Sequence, residues 1–182
     1  MESLYKKQRM HKNREDLTGE HKLGDAGQIA MAILFITIWI ADSFVLEYST
    51  FLNHYIPYSI KIPIAIACFL LSGYLSIKGL SIVFGEAGKK SGVIRKSVFG
   101  FVRHPIYSGE ILLYLGFTII SISLAAVCSM IITIVFLYYI SRYEEKLLLA
   151  RFGEEYRCYK DEIPMWIPRL RLKKDQHLAQ VK

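Results

Sequence analysis

The chain has 182 residues and a mass of 21.0 kDa, is 53% hydrophobic and 21% charged, and has a mean hydropathy of +0.29. That composition excludes a disordered chain, and apolar residues gathered into long charge-free runs with basic flanks exclude an ordinary soluble domain. The net charge of +7 clusters beside those runs, where it suits lipid headgroups better than nucleic acid.

Residues 1–25 carry six Lys/Arg and five Asp/Glu and read as a polar arm. From about Ala26 to Leu46 only Gln28 and Asp42 interrupt an apolar run that spans roughly 30 Å as a helix, which predicts a first transmembrane span. A connector with Asn53, His54 and Pro57 follows. A second span is predicted from about Ile60 to Phe84, with Lys61 and Lys78 near its ends, placed to snorkel. The next stretch, Gly85 to His104, opposes five basic residues to one acid and is expected to stay cytoplasmic.

Residues 111–140 hold no formal charge. One helix of that length would run about 45 Å, well beyond the roughly 30 Å of hydrocarbon, so a turn near Ser121–Ser123 and two spans, about 105–120 and 124–143, are predicted. The second of these leaves the bilayer as a helix that lasts to Gly153, and an amphipathic helix follows to about Glu162. Pro164 and Pro168 then bracket an extended interfacial segment, Met165-Trp166-Ile167. The expected fold is an all-α, polytopic integral membrane helical bundle of four to five transmembrane helices with cytoplasmic C-terminal helices. Its units are a polar arm (1–25), N-terminal transmembrane helices (26–84), and a region of loop, hairpin and amphipathic helices (85–182).

The three cysteines, Cys68, Cys128 and Cys158, lack the close spacing of a zinc site or disulfide framework, and no metal is expected. The Gly85–Ser91 stretch lacks the glycine and the Ser/Thr of a phosphate loop, and no hydrolase elbow or dinucleotide fingerprint is present. Two constellations remain. In Arg103-His104-Pro105-Ile106-Tyr107-Ser108-Gly109, proline suits the first position of a helix, leaving backbone N–H groups for an anion, and Gly109 permits close approach of a ligand or a helix. An ordinary basic, aromatic helix start reads equally well from composition. Arg142, Glu144 and Glu145 form the second, where adjacent carboxylates at a bilayer boundary are either functional or a solvated helix face.

The ordered string Arg-His-Pro-x-Tyr-x-Gly, an apolar hairpin, Glu144-Glu145, and Phe152-Gly153-Glu154-Glu155-Tyr156 through Pro164 closely resembles the isoprenylcysteine carboxyl methyltransferase family of integral membrane enzymes. The resemblance covers about Ser91 to Pro168. It implies S-adenosylmethionine as methyl donor, released as S-adenosylhomocysteine, on the cytoplasmic side of a multi-pass membrane protein. It further implies cofactor-binding roles for Ser91, Gly92, Val93, Ile94, Phe99, His104, Pro105, Ile106, Tyr107, Gly109 and Glu144, with Glu145 beside it. The eukaryotic members place a substrate-binding arginine where Ile140 stands, so Arg142 is the nearby candidate to hold a substrate anion, and Glu145 a candidate base. The partners implied are the bilayer and a lipophilic small molecule or prenylated cysteine. The similar phospholipid amine N-methyltransferases, a sterol-reductase-like NADPH enzyme, and a non-enzymatic scaffold or transporter are the alternatives.

Overall fold

The computed structural model describes residues 22–85 and 92–169. The polar arm up to residue 21, the loop residues 86–91, which include Ser91, and the tail from residue 170 lie outside the described residues. Among the described residues five α-helices follow one another: α1, Lys22–Ile40; α2, Tyr58–Val83; α3, Pro105–Ser121; α4, Leu124–Phe152; and α5, Glu154–Glu162. A π-helical turn, Ala41–Leu46, extends α1, so the first apolar run stays one unit and the bundle has four long helices among the described residues, not five. Three stretches, Ala26–Leu46, Tyr58–Val83 and Leu124–Phe152, are long and apolar enough to cross a membrane, and α3 is a shorter apolar helix.

The turn predicted at Ser121–Ser123 is there. Ile122 at φ 45° ends α3, and the Ser123 hydroxyl caps α4 by accepting from Ala126 N. Asp42 secures this turn from the π-helical end of α1: its carboxylate accepts from the hydroxyls of Ser49 and Ser123 and from Ser49 N. Lys61 departs from the snorkelling expected of it. It is buried at 1% exposure, and its ammonium turns back to Asn53 in the connector and lies over the Tyr58 ring.

α3 is the packed axis of the bundle. α2 lies along it, α4 returns beside it, and α1 rests on α4 and α3, with Phe35, Tyr114 and Ala126 at the centre. Close approach of α2 requires Gly109, whose carbonyl accepts from the Ser72 hydroxyl at 2.6 Å. A Cβ there would overlap Ser76 Oγ and lie 2.9 Å from Ser72 O. Gly109→Ala is therefore expected to destabilise the α2–α3 pair by about 1–3 kcal/mol, the usual cost of overpacking, measurable as a lower Tm in detergent. Gly109 thus serves the contact between these two helices.

α4, at 29 residues, is about 43 Å long, longer than the hydrocarbon core. Its last turns, bearing Arg142, Glu144 and Glu145, therefore reach beyond the apolar layer, and Gly153 at φ 55° breaks the chain into α5.

Candidate active site

At one end of the bundle α1 begins, α2 ends, α3 begins and α4 leaves. The chain enters α3 through a short 3₁₀ turn, Ser97–Gly100. Pro105 starts the helix with a preset φ and no N–H to satisfy. Residues 164–166 run alongside this entrance: Arg103 N donates to Pro164 O at 2.9 Å, His104 N to Met165 O at 3.1 Å, and the Ser108 hydroxyl to Trp166 O at 3.1 Å.

Glu145 lies beneath this entrance, 2% exposed, among cations from three segments. Arg103 donates through Nε and Nη2, each 2.8 Å from Oε1, and Lys160 Nζ of α5 stands 3.1 Å from Oε2. His104 Nε2 is 3.5 Å from Oε1. The remaining Arg103 nitrogen, Nη1, donates to the carbonyls of Lys160 and Ile163. One guanidinium thereby locks α4, α5 and the α3 entrance together, as a planar five-donor group can and an ammonium cannot.

Glu144, one residue earlier, faces a cavity instead. It accepts from the Tyr107 hydroxyl, and its Oε2 is 3.5 Å from His104 Nδ1. The His104 and Tyr107 rings are nearly parallel with centroids 5.5 Å apart. Burial disfavours the imidazolium of His104, but the Glu144 and Glu145 carboxylates 3.5 Å away outweigh that cost and raise its pKa above the ordinary 6.5. The stability this charge confers is complete below about pH 6.5 and fades as pH rises through the raised value. We expect Tm in detergent to fall across that alkaline window, and His104→Gln to remove this part of the slope.

The cavity measures about 350 Å³ and is lined by Gln28 of α1, Leu80, Val83 and Phe84 at the end of α2, Phe99, Arg103 to Tyr107, and Glu144 and Leu148 of α4. A second cavity of about 180 Å³ shares Val83, Phe99, Arg103 and Leu148 with it and adds Val93, Ile94, Phe152, Tyr156 and Tyr159. Burial pushes the Tyr156 and Tyr159 phenols up, so both stay neutral, and Tyr159 donates to Phe99 O at 2.8 Å. Gly92, at φ 137°, turns the chain at the edge of this second space, where Val93 N donates to Glu155 Oε1.

The structure thus brings together, around joined cavities, Val93, Ile94, Phe99, His104, Pro105, Ile106, Tyr107 and Glu144. Glu145 lies under the larger cavity without lining it, occupied by its cations. Arg142 stands apart, its side chain 45% exposed and 3.8 Å from Glu145 Oε2, and lines neither space. Arg103 as the buried partner of Glu145, together with Lys160 and Gln28, emerges only from the fold. The i, i+3 spacing of Tyr156 and Tyr159 was a visible signal that one face of α5 is covered.

The fit to a nucleoside-bearing amino-acid cofactor rests on three features. The N-terminus of α3 has no side-chain cap and faces the cavity through Pro105, Ile106 and Tyr107, and the positive end of a helix dipole there suits an anionic group. The Glu144 carboxylate supplies an acceptor for hydroxyls, and Phe84, Phe99 and Phe152 supply apolar and aromatic walls. His104 Nε2 is buried and makes no hydrogen bond among the described residues.

An all-α membrane bundle with a polar cleft where its third helix starts and its fourth ends defines the class, an integral membrane helical protein. The model of the phospholipid methyltransferase family matches residues 60–155, more than half of the chain, and the chain belongs to that family. It is also similar to methanethiol S-methyltransferase of Crocosphaera subtropica, with 28% identity over 140 residues, 73% of this chain and 51% of that protein. The chain therefore spans about half the length of the curated relative it matches. No solved structure matches it.

Proposed function

We propose that this chain binds S-adenosylmethionine in the joined cavities and transfers its methyl group to a nucleophile on an acceptor that carries an amine or a thiol. The observation that carries the reading is the convergence of the uncapped α3 N-terminus and Glu144 on one cleft, joined by the Tyr107 hydroxyl. When bound, the donor supplies an already activated methyl on a sulfonium. The residues hold and orient. The α3 N–H groups meet a carboxylate, Glu144 accepts from hydroxyls, and Phe99 with Phe152 and the two buried tyrosines excludes water from the second space.

The choice of acceptor follows from where the cations are. A carboxylate acceptor of the prenylcysteine kind needs a free cation beside the donor. Among the described residues, Arg103 is the one guanidinium or ammonium lining either cavity, and its donors are committed to Glu145 and to two carbonyls. Arg142 lines neither. This favours a thiol or an amine over a carboxylate, in keeping with the names of the family and of the relative. Such an acceptor carries a proton that has to leave, and the pair of His104 Nδ1 and Glu144 Oε2 on the cavity wall is suited to hold it. Glu145, bound by three cations, is not.

The test is a methyl-transfer assay with labelled donor and the purified protein in detergent, against aminophospholipids, alkyl thiols and a prenylated cysteine. Labelled product is expected from the thiols or the amines. Product from the prenylcysteine alone would overturn the acceptor assignment, and saturable binding of reduced nicotinamide dinucleotide without binding of S-adenosylmethionine would overturn the reaction.

A further inference from the structure

A larger cavity, about 600 Å³, lies on the other face of α3 and shares no lining residue with the two described above. Leu71 and Leu75 of α2, Ile111 and Leu112 of α3 and Ile134 of α4 form its deep walls. Its outer wall is Ser97, Val98, Phe101 and Val102 together with Trp166, Ile167 and Pro168, which continue the 164–166 segment whose carbonyls hold Arg103, His104 and Ser108. We propose that this cavity binds one acyl chain of a bilayer phospholipid, with the lipid's phosphate held by Lys96 and Arg169.

Depth is the first argument. From Pro105, at the membrane boundary, to Leu112 is about 11 Å along α3, within the roughly 15 Å of one leaflet's hydrocarbon. The space thus runs from the interface toward the midplane, as a single chain does, and stops in the leaflet where α3 begins. Wall chemistry is the second. A water needs two to four polar partners, and beside the leucines and isoleucines the inner lining offers only the Tyr74 phenol and the Ser108 hydroxyl, which already donates to the His104 and Trp166 carbonyls, so the space suits hydrocarbon better than water.

Charge at the mouth is the third argument and selects the kind of lipid. Ser97 and Pro168 form the rim, and each is followed outward along the chain by an exposed cation, Lys96 and Arg169. The nearby Arg95 is already paired with Glu162 at 3.1 Å. Phe101 and Ile167 beside the rim are 66% and 81% exposed, apolar groups at headgroup level that a lipid would cover. Two exposed cations next in sequence to the rim, with no ion pair among the described residues, match an anionic headgroup over its chain.

Trp166 reports on the site directly. Titration of the detergent-solubilised full chain with phosphatidylglycerol brominated on its acyl chains is expected to quench tryptophan fluorescence saturably, and the saturable part should vanish in Trp166→Phe, leaving Trp39 as the remaining tryptophan. Filling the slot with Leu75→Phe and Leu112→Phe should weaken the saturable phase by about tenfold. Lys96→Ala with Arg169→Ala should weaken binding of phosphatidylglycerol but not of a brominated diacylglycerol, which has the chains without the phosphate. If the filled pair fails to fold, the Lys96/Arg169 pair carries the decision alone. Quenching that rises linearly with lipid, or that is equal in wild type and in both variant pairs, would overturn the proposal. Saturable quenching by diacylglycerol as strong as by phosphatidylglycerol would overturn its headgroup part. None of these residues lines the donor cavities, so a failure here leaves the methyl-transfer reading to its own assay.

Discussion

Arg103→Met is expected to lower the folding stability of the detergent-solubilised protein by about 3–5 kcal/mol and to abolish donor binding with it. The guanidinium is 9% exposed and meets a carboxylate that is 1% exposed, so its removal leaves Glu145 buried with Lys160, His104 and the half-exposed Arg142 as its remaining cations. Breaking a buried pair from one side costs that much because the surviving charge keeps its desolvation penalty. Two backbone carbonyls, of Lys160 and Ile163, lose their donor at the same time. Arg103→Lys should recover little, since an ammonium cannot reach the carboxylate and both carbonyls together. The double variant Arg103→Met/Glu145→Gln separates the causes: with both charges gone, Tm should recover part of the loss, while the α3 entrance remains unlocked and donor binding stays weak. A single variant as stable as wild type would mean that the buried pair is not what holds α5 and the α3 entrance together.

That ion cluster also marks the limit of what the residues reveal in order. The hairpin was legible because thirty uncharged residues cannot form one span, and serines at 121 and 123 flank the place where the chain must turn. The break between α4 and α5 was legible as well, because Gly153 follows a helical run and stands at φ 55°. His104, Tyr107 and Glu144 were legible as an ordered string, and the fold places them side by side. Arg103 and Lys160, however, each sit among many basic residues, and local spacing cannot distinguish a buried guanidinium from one that faces water. Separations of 42 residues from Arg103 and 15 from Lys160 to their shared carboxylate put the pairing beyond any helical period. Arg142 drew attention for the opposite reason. It stands three residues from Glu145, where helical geometry allows a pair, and that pair forms at 3.8 Å, but with Arg103 holding the carboxylate more closely Arg142 stays half-exposed at its edge. Asp42 and Lys61 looked like isolated polar residues in apolar runs. Their partners, Ser49 with Ser123 and Asn53, come from connectors with no pattern to place them.

Glu144→Gln should have the opposite signature to Arg103→Met, a loss of function with the fold retained. Glutamine keeps the shape and still accepts from the Tyr107 hydroxyl, and the side chain is partly accessible at 15% exposure, so Tm is expected to change by no more than a few degrees. The charge-assisted bonds it would give to donor hydroxyls are worth about 1.5–3 kcal/mol, which corresponds to a rise in the donor's Kd of roughly 10- to 100-fold. His104 supplies an independent readout. Its pKa is held up by both carboxylates, so removing the charge at 144 lowers it, and the alkaline limb of the pH dependence of donor binding should move toward lower pH. Calorimetric titration with S-adenosylmethionine across a pH series measures the affinity and the limb in one experiment. Unchanged affinity would remove Glu144 from the donor site, and a collapse in Tm equal to that of Arg103→Met would make it a second structural anchor.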